Sequence, residues 1–323
     1  MGSGITAHTK MACILGSPVG HSLSPVMYNK SFELLGIDCR YLAFDTTDEN
    51  IGVILDGLVA MDVIGFNVTM PIKKKCLNFC DEVSRVASLA GAVNTVVNKN
   101  GRLIGYATDG IGFMEACREN GFPAEREKLT VFGTGGAGMS IFVQAAFSGA
   151  REISVFSRDT TRIKERELIR RLNEETSCKV ALYSYEDRKA MAEELAGSRI
   201  LVNTTNAGMY PNDEQCLVED QSMLHADMAV FDIIYSPMET KLLQMAKKAG
   251  CMTANGVELL IYQGAAAFKI WTGQDMPVKA VRRELTDYLG TMEAEEAENG
   301  NRAGPLAVSF DRSVSNTSIP VTL

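Results

Sequence analysis

Short apolar runs alternate with stretches of helical periodicity through most of this chain, the pattern of a mainly parallel sheet covered by helices. Met11–Leu15 reads as a first strand, followed by a Gly/Ser/Pro loop and a helix around Pro25–Leu35. Arg40–Phe44 is a second strand, Asn50–Met61 a helix, and Val63–Val68 a third strand stopped by Pro71. Apolar spacing then predicts one longer helix to about Leu89. Ala92–Asn98 and Leu103–Tyr106 flank Lys99-Asn100-Gly101-Arg102, which predicts a hairpin. This first unit closes near residue 108.

Asp109-Gly110 opens an amphipathic helix that Gly121-Phe122-Pro123 breaks after Asn120. Leu129–Phe132 starts a second unit as a strand running directly into a glycine loop. Helix Met139–Ser148, strand Ile153–Phe156, a charged helix over 160–174, strand Val180–Tyr183 and a helix over 187–196 follow. Then come strands Ile200–Asn203 and Ala229–Ile233, and a helix over 239–249. The turn pair Asn255-Gly256 leads into an apolar helix, Val257–Trp271, and a last helix covers Val278–Gly290. The pattern predicts an α/β protein of two domains, 11–108 and 109–256, with helices 257–290 after them. From 291 to 323 a run of glutamates passes into Gly, Asn, Ser and Thr without periodicity, which reads as a disordered tail.

The balance of charge narrows the partners. Thirty-two Lys and Arg against 40 Asp and Glu give a net charge of −8 over 323 residues. That argues against nucleic acid, whose binding rests on neutralising phosphates. With no run of 18 apolar residues, no membrane span is expected. Eight scattered cysteines and three histidines suggest reduced thiols in a cytoplasmic protein, with no metal site. A small-molecule ligand is the expected partner, and a homodimer is compatible with the sequence.

Gly133-Thr134-Gly135-Gly136-Ala137-Gly138 fits G-x-G-x-x-G, between a strand and a helix and with a second strand at the expected distance. The first glycine allows the tight turn, the second admits a pyrophosphate to the backbone, and the third lets helix and strand pack closely. Residues 109–256 therefore read as a Rossmann-type, doubly wound, NAD(P)-binding domain. The second strand ends in Ser157-Arg158-Asp159-Thr160-Thr161-Arg162. Arg158 and Arg162 suit a 2′-phosphate and favour NADP, whereas Asp159 suits a free ribose hydroxyl and keeps NAD open.

The first unit carries polar residues where a core should be apolar. Ser22 and Ser24, two apart before Pro25, would point the same way in an extended segment and could converge on a carboxylate; a helix N-cap is the plainer reading. Asn67 and Thr69 share a face at the end of a buried strand. Lys73, with Lys74 and Lys75, falls in the first turn of a helix, where the dipole disfavours positive charge. Asn94 interrupts another apolar run, and Asp109 stands where an N-cap is expected.

These segments together resemble the shikimate dehydrogenase family, including its quinate/shikimate branch. The match runs from Gly16-Ser17-Pro18 and His21-Ser22-Leu23-Ser24-Pro25 through Asn67-Val68-Thr69-Met70-Pro71 with Lys73, Gly91-Ala92-Val93-Asn94-Thr95 and Thr108-Asp109-Gly110. It continues with Gly133 to Gly138, Asn203-Thr204-Thr205, Gly208-Met209, Asp232, Tyr235, Pro237 and Gln263, and covers 11–290. The resemblance implies a substrate-binding domain, completed by helices 257–290, and a dinucleotide-binding domain with a cleft between them. The activity it implies is reversible NAD(P)-dependent reduction of 3-dehydroshikimate to shikimate in aromatic amino-acid biosynthesis. By the same resemblance Lys73 and Asp109 are the catalytic pair, and Ser22 and Ser24 hold the substrate carboxylate, with the substrate-binding Tyr235 nearby. Asn67, Thr69, Asn94 and Gln263 bind ring hydroxyls, and Asn203, Thr205 and Met209 line the cofactor. Three positions depart from the family pattern: Ala137-Gly138 replaces the usual Ala-Ser, Ala107 stands for a common asparagine, and Asp159 for a threonine. A quinate or dual quinate/shikimate dehydrogenase, and a catalytically silent ligand sensor on the same fold, are the alternatives.

Overall fold

The computed structural model describes residues 4–298. Its strands form two six-stranded sheets among the described residues. The first unit runs β1 (Lys10–Gly16), α1 (Ser24–Leu34), β2 (Cys39–Asp45), α2 (Ile51–Ala60), β3 (Gly65–Val68) and α3 (Lys73–Cys76). It continues with β4 (Glu82–Val83), α4 (Arg85–Ala90), β5 (Thr95–Lys99) and β6 (Arg102–Tyr106). The sheet order is β2-β1-β3-β5-β6-β4, with β5 antiparallel to both neighbours. Asn100 and Gly101, both at positive φ, turn β5 into β6, as a two-residue hairpin requires.

A linking helix, α5 (Thr108–Glu119), leads to the second unit. There β7 (Lys128–Phe132), α6 (Gly136–Phe147), β8 (Glu152–Ser157), α7 (Ile163–Glu175), β9 (Lys179–Ser184) and α8 (Arg188–Ala196) follow in turn. Next are β10 (Ile200–Asn203), β11 (Ala229–Asp232), α9 (Lys241–Lys248) and β12 (Met252–Ala254). The order β12-β11-β10-β7-β8-β9 is wholly parallel. It is the doubly wound arrangement, with its switch point between β7 and β10 where a ligand crevice opens.

The chain then forms α10 (Gly256–Thr272) and α11 (Val278–Glu298). α10 joins the two units. Its Val257, Ile261, Ala267 and Phe268 enter the core around β1, α1 and β2, while Tyr262 enters the core around β7 and α6. Trp271 Nε1 donates to Val96 O at 2.9 Å, fixing the helix over β5. Only glycine fits beneath that indole, since a Cβ on Gly65 would lie 2.3 Å from Nε1. Full burial of Phe268 alone contributes about 2 kcal/mol.

Local chemistry explains where the elements differ from the expected ones. The single long helix after Pro71 is three pieces, because Glu82–Val83 pair with Ile104–Gly105 and Asp81 Oδ2 accepts from Leu103 N at 2.7 Å. Edge pairing on β6 outweighs helical periodicity there. Ser84 caps the fragment that resumes, accepting from Ala87 N, and Gly91 at φ 63° ends it. Asn255-Gly256 is no turn: Asn255 Oδ1 accepts from Val257 N at 3.1 Å and caps α10. Helix α6 begins at Gly136, three residues earlier than apolar spacing placed it. Helix α11 continues through Glu298, so the disorder expected from 291 does not start there. The remainder of that expected tail, 299–323, lies outside the described residues.

Candidate active site

Strands β1 and β3 end side by side, and the chain leaving β3 turns into α3 against the start of β5. A Cβ on Gly16 would meet Thr69 Cγ2 at 2.3 Å, so glycine at the end of β1 lets that turn close. Lys73 O accepts from Val93 N at 3.1 Å, which anchors the lysine to the segment before β5. The Lys73 side chain then meets Asp109, with Nζ donating to Oδ2 at 2.8 Å. Both side chains are largely shielded, at 19% and 12% exposed.

Asn94 fixes the other carboxylate oxygen. Its Nδ2 donates to Asp109 Oδ1 at 2.8 Å and to Gln263 Oε1 at 3.4 Å. Its Oδ1 accepts from Thr108 N at 2.7 Å and from the Thr108 hydroxyl at 3.2 Å. Asn67 is joined to the same network from below, donating to Asn94 O at 3.1 Å and to Thr95 Oγ1 at 3.0 Å. Lys73, Asp109, Asn94, Gln263 and Asn67 thus form one polar cluster drawn from α3, α5, the β5 entrance, α10 and β3.

Two readings of the sequence change here. Asp109 is not the N-cap of α5; Ala107 holds that place, and Asp109 lies in the first turn with its carboxylate turned to Lys73. The dipole argument for Lys73 also fails. α3 is a single turn of four residues, too short to sum to a macrodipole, and the adjacent carboxylate is the dominant charge.

The serines do not lie in an extended segment. Leu23 is already in a helical conformation, Ser24 opens α1, and neither serine caps it. Ser22 Oγ accepts from Ser24 N at 3.3 Å. Ser24 is buried within reach of the Tyr41 phenol, which donates to Asn67 Oδ1 at 2.6 Å. Burial pushes that phenol well above its ordinary range, so Tyr41 remains a donor. Tyr235 is half-buried against the core containing Leu23 and Val257, and burial raises its hydroxyl pKa too. Ser22, Thr69 and Tyr235 do not join the Lys73–Asp109 cluster by side-chain hydrogen bonds among the described residues.

The glycine loop faces this cluster. A Cβ on Gly136 would lie 3.5 Å from Lys73 Cδ, so the start of α6 and the lysine are neighbours. Gly133 has φ 109°, where L side chains are strained, and a Cβ on Gly138 would sit 2.3 Å from Gly133 O. Gly135 has open space on the side where a Cβ would project. The first intrahelical bond is donated by Met139 to Gly135, which leaves the N–H groups of Gly136, Ala137 and Gly138 for an anion. This cradle fits a dinucleotide pyrophosphate. Thr134 Oγ1 and Ser157 Oγ, 3.1 Å apart, tie the loop to the end of β8.

At the far end of that loop the two arginines differ. Arg162 is held between Asp159 and Glu165, at 3.4 Å from each, and is not a free cation. Arg158 is exposed beside Tyr185 and makes no side-chain hydrogen bond or ion pair among the described residues. Asp159 is turned to its own loop. It accepts from Thr161 N at 2.9 Å and Thr161 Oγ1 at 2.6 Å, and those bonds with Arg162 hold its carboxyl below the usual range.

Asn203 and Thr205 shape the opposite wall and do not present free side chains. Asn203 Nδ2 donates to Asp232 Oδ1 and Ala207 O, both at 3.1 Å, while its Oδ1 accepts from the Thr205 hydroxyl at 2.7 Å. The turn that follows, through Gly208 at φ 100°, leaves Met209 exposed. Asp232 is buried and pushed up to about 6 by desolvation, against hydrogen bonds from Thr240, Ile234 and Asn203. Among the described residues no three His, Cys, Asp or Glu side chains come together as a metal set.

Sequence reasoning missed Tyr41, Thr95 and Thr108, which hold Asn67 and Asn94 in place. Tyr41 and Thr95 lie in strands where aromatic and β-branched residues are ordinary, so only their partners reveal them. Thr108 had a signal, its place beside Asp109.

Comparison with known proteins identifies the family. Residues 14–96 match the family model of the shikimate dehydrogenase substrate binding domain, and 256–286 that of the shikimate 5′-dehydrogenase C-terminal domain. The chain is 42% identical over 279 residues to a shikimate dehydrogenase (NADP(+)) of Alkaliphilus metalliredigens, covering 86% of this chain and 97% of that protein. It is 42% identical over 291 residues to one from Streptococcus pyogenes, covering 89% and 100%. The crystal structure of shikimate 5-dehydrogenase from Listeria monocytogenes, in complex with shikimate and NAD, superimposes with a TM-score of 0.84 at 40% identity, covering 88% of this chain and 99% of that one. A quinate dehydrogenase from Corynebacterium glutamicum, in complex with NAD, gives a TM-score of 0.77 at 27% identity, covering 86% and 99%. At 42% identity across nearly the whole length of these relatives, the chain belongs to the shikimate dehydrogenase family.

Proposed function

We propose that this chain catalyses the reversible NADP-dependent reduction of 3-dehydroshikimate to shikimate, a step of aromatic amino-acid biosynthesis. The observation that carries the reading is the Lys73–Asp109 ion pair at 2.8 Å, locked by Asn94 and set beside the start of α6. A pure binding protein has no need of a shielded lysine fixed next to a nucleotide loop. The family relationship favours shikimate over quinate as the substrate.

The nicotinamide, when bound, supplies or accepts the hydride. The chain's own residues handle the proton. As the C3 carbonyl becomes an alcohol, Lys73 Nζ gives a proton to the oxygen and stabilises the charge that builds there. In the reverse direction it takes that proton back. Asp109 holds the ammonium in place through Oδ2, and Asn94 holds Asp109 through Oδ1. Gln263, whose Nε2 makes a single bond to Leu260 O, is the side chain we assign first to a ring hydroxyl. Asn94 is assigned with it and would exchange its 3.4 Å bond to Gln263 Oε1 for the substrate, with Asn67 offering its remaining Oδ1 lone pair and Thr69 the rim. Ser22, Ser24 and Tyr235 are assigned to the carboxylate. Gly133, Gly135, Gly136, Ala137 and Gly138 are assigned to the pyrophosphate, and Arg158 with Ser157 to the 2′-phosphate. Asn203, Thr205 and Met209 are assigned to the wall that would line the cofactor.

No helix among the described residues is long and apolar enough to cross a membrane. We place the protein in the cytoplasm, in keeping with eight unpaired cysteines. A homodimer is the assembly to test by sedimentation, since the edge strand β2 leaves Leu42 and Phe44 exposed.

Initial rates with shikimate and quinate, each with NADP+ and NAD+, test the function through cofactor absorbance. Fast turnover of shikimate with NADP+ and little of quinate is expected. Faster turnover of quinate moves the chain to the quinate/shikimate branch, and no turnover with any pair refutes the enzymatic reading.

A further inference from the structure

One buried hydroxyl brackets the catalytic carboxylate from the nucleotide side. Ser140 lies on α6, one turn after Gly136, and is 1% exposed. Its Oγ accepts from Gly110 N at 2.9 Å and donates to Ala107 O at 3.4 Å. These two backbone groups flank Thr108-Asp109. The Gly110 N–H belongs to the first turn of α5 and has no partner within that helix, so Ser140 supplies what a cap would. Contact at this point is close. A Cβ on Gly110 would meet Ser140 O at 2.3 Å and Gln144 Cβ at 2.5 Å. The same helix begins in the glycine loop, where the Gly136 backbone neighbours Lys73.

We propose that Ser140 is a positioning residue, which clamps the Ala107–Gly110 segment so that Asp109 is held in register with the nucleotide loop and with Lys73. The proposal rests on the function assigned above. It acts through Asp109 and not through contact with substrate or cofactor. Losing the clamp lets the start of α5 shift against α6, and small misplacements of a reacting group lower the rate while sparing affinity.

Ser140→Ala and Ser140→Cys test this. Cysteine keeps the site filled, with a somewhat larger atom that is a much poorer acceptor, so it decides the question should the alanine variant not fold. In either folded variant kcat is expected to fall about tenfold, with KM for shikimate and NADP+ within about twofold of wild type. The deuterium isotope effect on kcat, with label at the carbon that yields the hydride, is expected to rise as the chemical step becomes slower. A loss of thermal stability with kcat and isotope effect unchanged overturns the proposal, as does a change confined to KM. Hydrogen exchange at the Gly110 amide tests the clamp without turnover: at least fivefold faster exchange is expected in the variants, and unchanged exchange overturns it. Wild-type rates in the same assay report on the function itself, so the two readings fail separately.

Discussion

Replacing Asp109 by asparagine keeps the shape of the side chain and breaks its chemistry in a way the structure makes specific. Both carboxylate oxygens accept from donors, Lys73 Nζ and Asn94 Nδ2, each at 2.8 Å. Asparagine has one oxygen, so its NH2 must face one of these donors. Asn94 cannot turn over to help, because its own oxygen holds Thr108 N at 2.7 Å and the Thr108 hydroxyl at 3.2 Å. An unsatisfied buried donor costs about 1–3 kcal/mol, and a lost bond to a charged group about as much. With the pair 12–19% exposed, a net loss of about 2 kcal/mol in stability is expected. Turnover suffers more, since Lys73 loses the anion that orients it; kcat is expected to fall about 10²–10⁴-fold, or roughly 3–5 kcal/mol in the barrier. Asp109→Ala is the sharper comparison. It removes both acceptors without adding a donor: the Asn94 hydrogen that faced Asp109 is left open, as is Lys73, but no NH2 is forced against either. The alanine variant is therefore expected to be no less stable than the asparagine variant, the reverse of what lost volume alone dictates. Urea denaturation and initial rates of NADPH formation read both quantities. An asparagine variant keeping more than one third of wild-type kcat, or standing clearly above alanine in stability, refutes the reasoning.

Lys73→Ala is expected to cut kcat by about 10²–10⁴-fold while KM for shikimate changes much less, and comparable losses in both would make Lys73 a binding residue. Asp159→Ala releases Arg162 from its 3.4 Å contact and removes an anion from the loop assigned to the 2′-phosphate. The ratio of kcat/KM for NADP+ over NAD+ should then rise about fivefold, and an unchanged ratio would place Asp159 outside the cofactor site. Asp232, at about 6 against an ordinary 3.8, binds its proton more tightly folded than unfolded. Its contribution to stability is therefore full below about pH 4 and is lost as pH rises through about 6, a difference of about 2–3 kcal/mol. Asp232→Asn should flatten the change in urea midpoint between pH 4 and 7, and an undiminished slope would assign that pH dependence elsewhere.

What the sequence made legible and what it hid divide along a physical line. The glycine loop could be read because its requirement is local: a positive φ at Gly133 and a backbone approach at Gly138 admit no other residue without strain. The parallel order of the second sheet follows from alternating strands and helices for the same reason. Asn67 and Asn94 stood out because each breaks an apolar pattern, and Asp109 because it stands at a helix start; the structure joins them through hydrogen bonds that cost a core more to omit than to make. Two short strands were hidden, and one helix was read too long. Glu82–Val83 and Met252–Ala254 are strands only because a neighbouring edge pairs with them, and the single-turn α3 is fixed by Val93 donating to Lys73 O. The roles of side chains were harder again. Asn203 and Arg162 have the right chemistry for a ligand and the right place in the chain, yet both are consumed by protein partners. Tyr41 and Ser140 have unremarkable sequence settings and hold the network together. A spacing pattern reports which groups a segment offers; whether a group remains free for substrate is decided by partners tens to hundreds of residues away. The bond that Asn94 makes to Gln263, 169 residues on, exists only because α10 returns across the first sheet. The same return brings Gly112 of α5 against Gln263, where a Cβ would lie 2.3 Å from its backbone nitrogen. Close approach of α5, α6 and α10 at Gly110 and Gly112 is thus what converts two separately readable units into one site, and substitution of either glycine is the change that would pull Asp109 away from Lys73 without touching a catalytic atom.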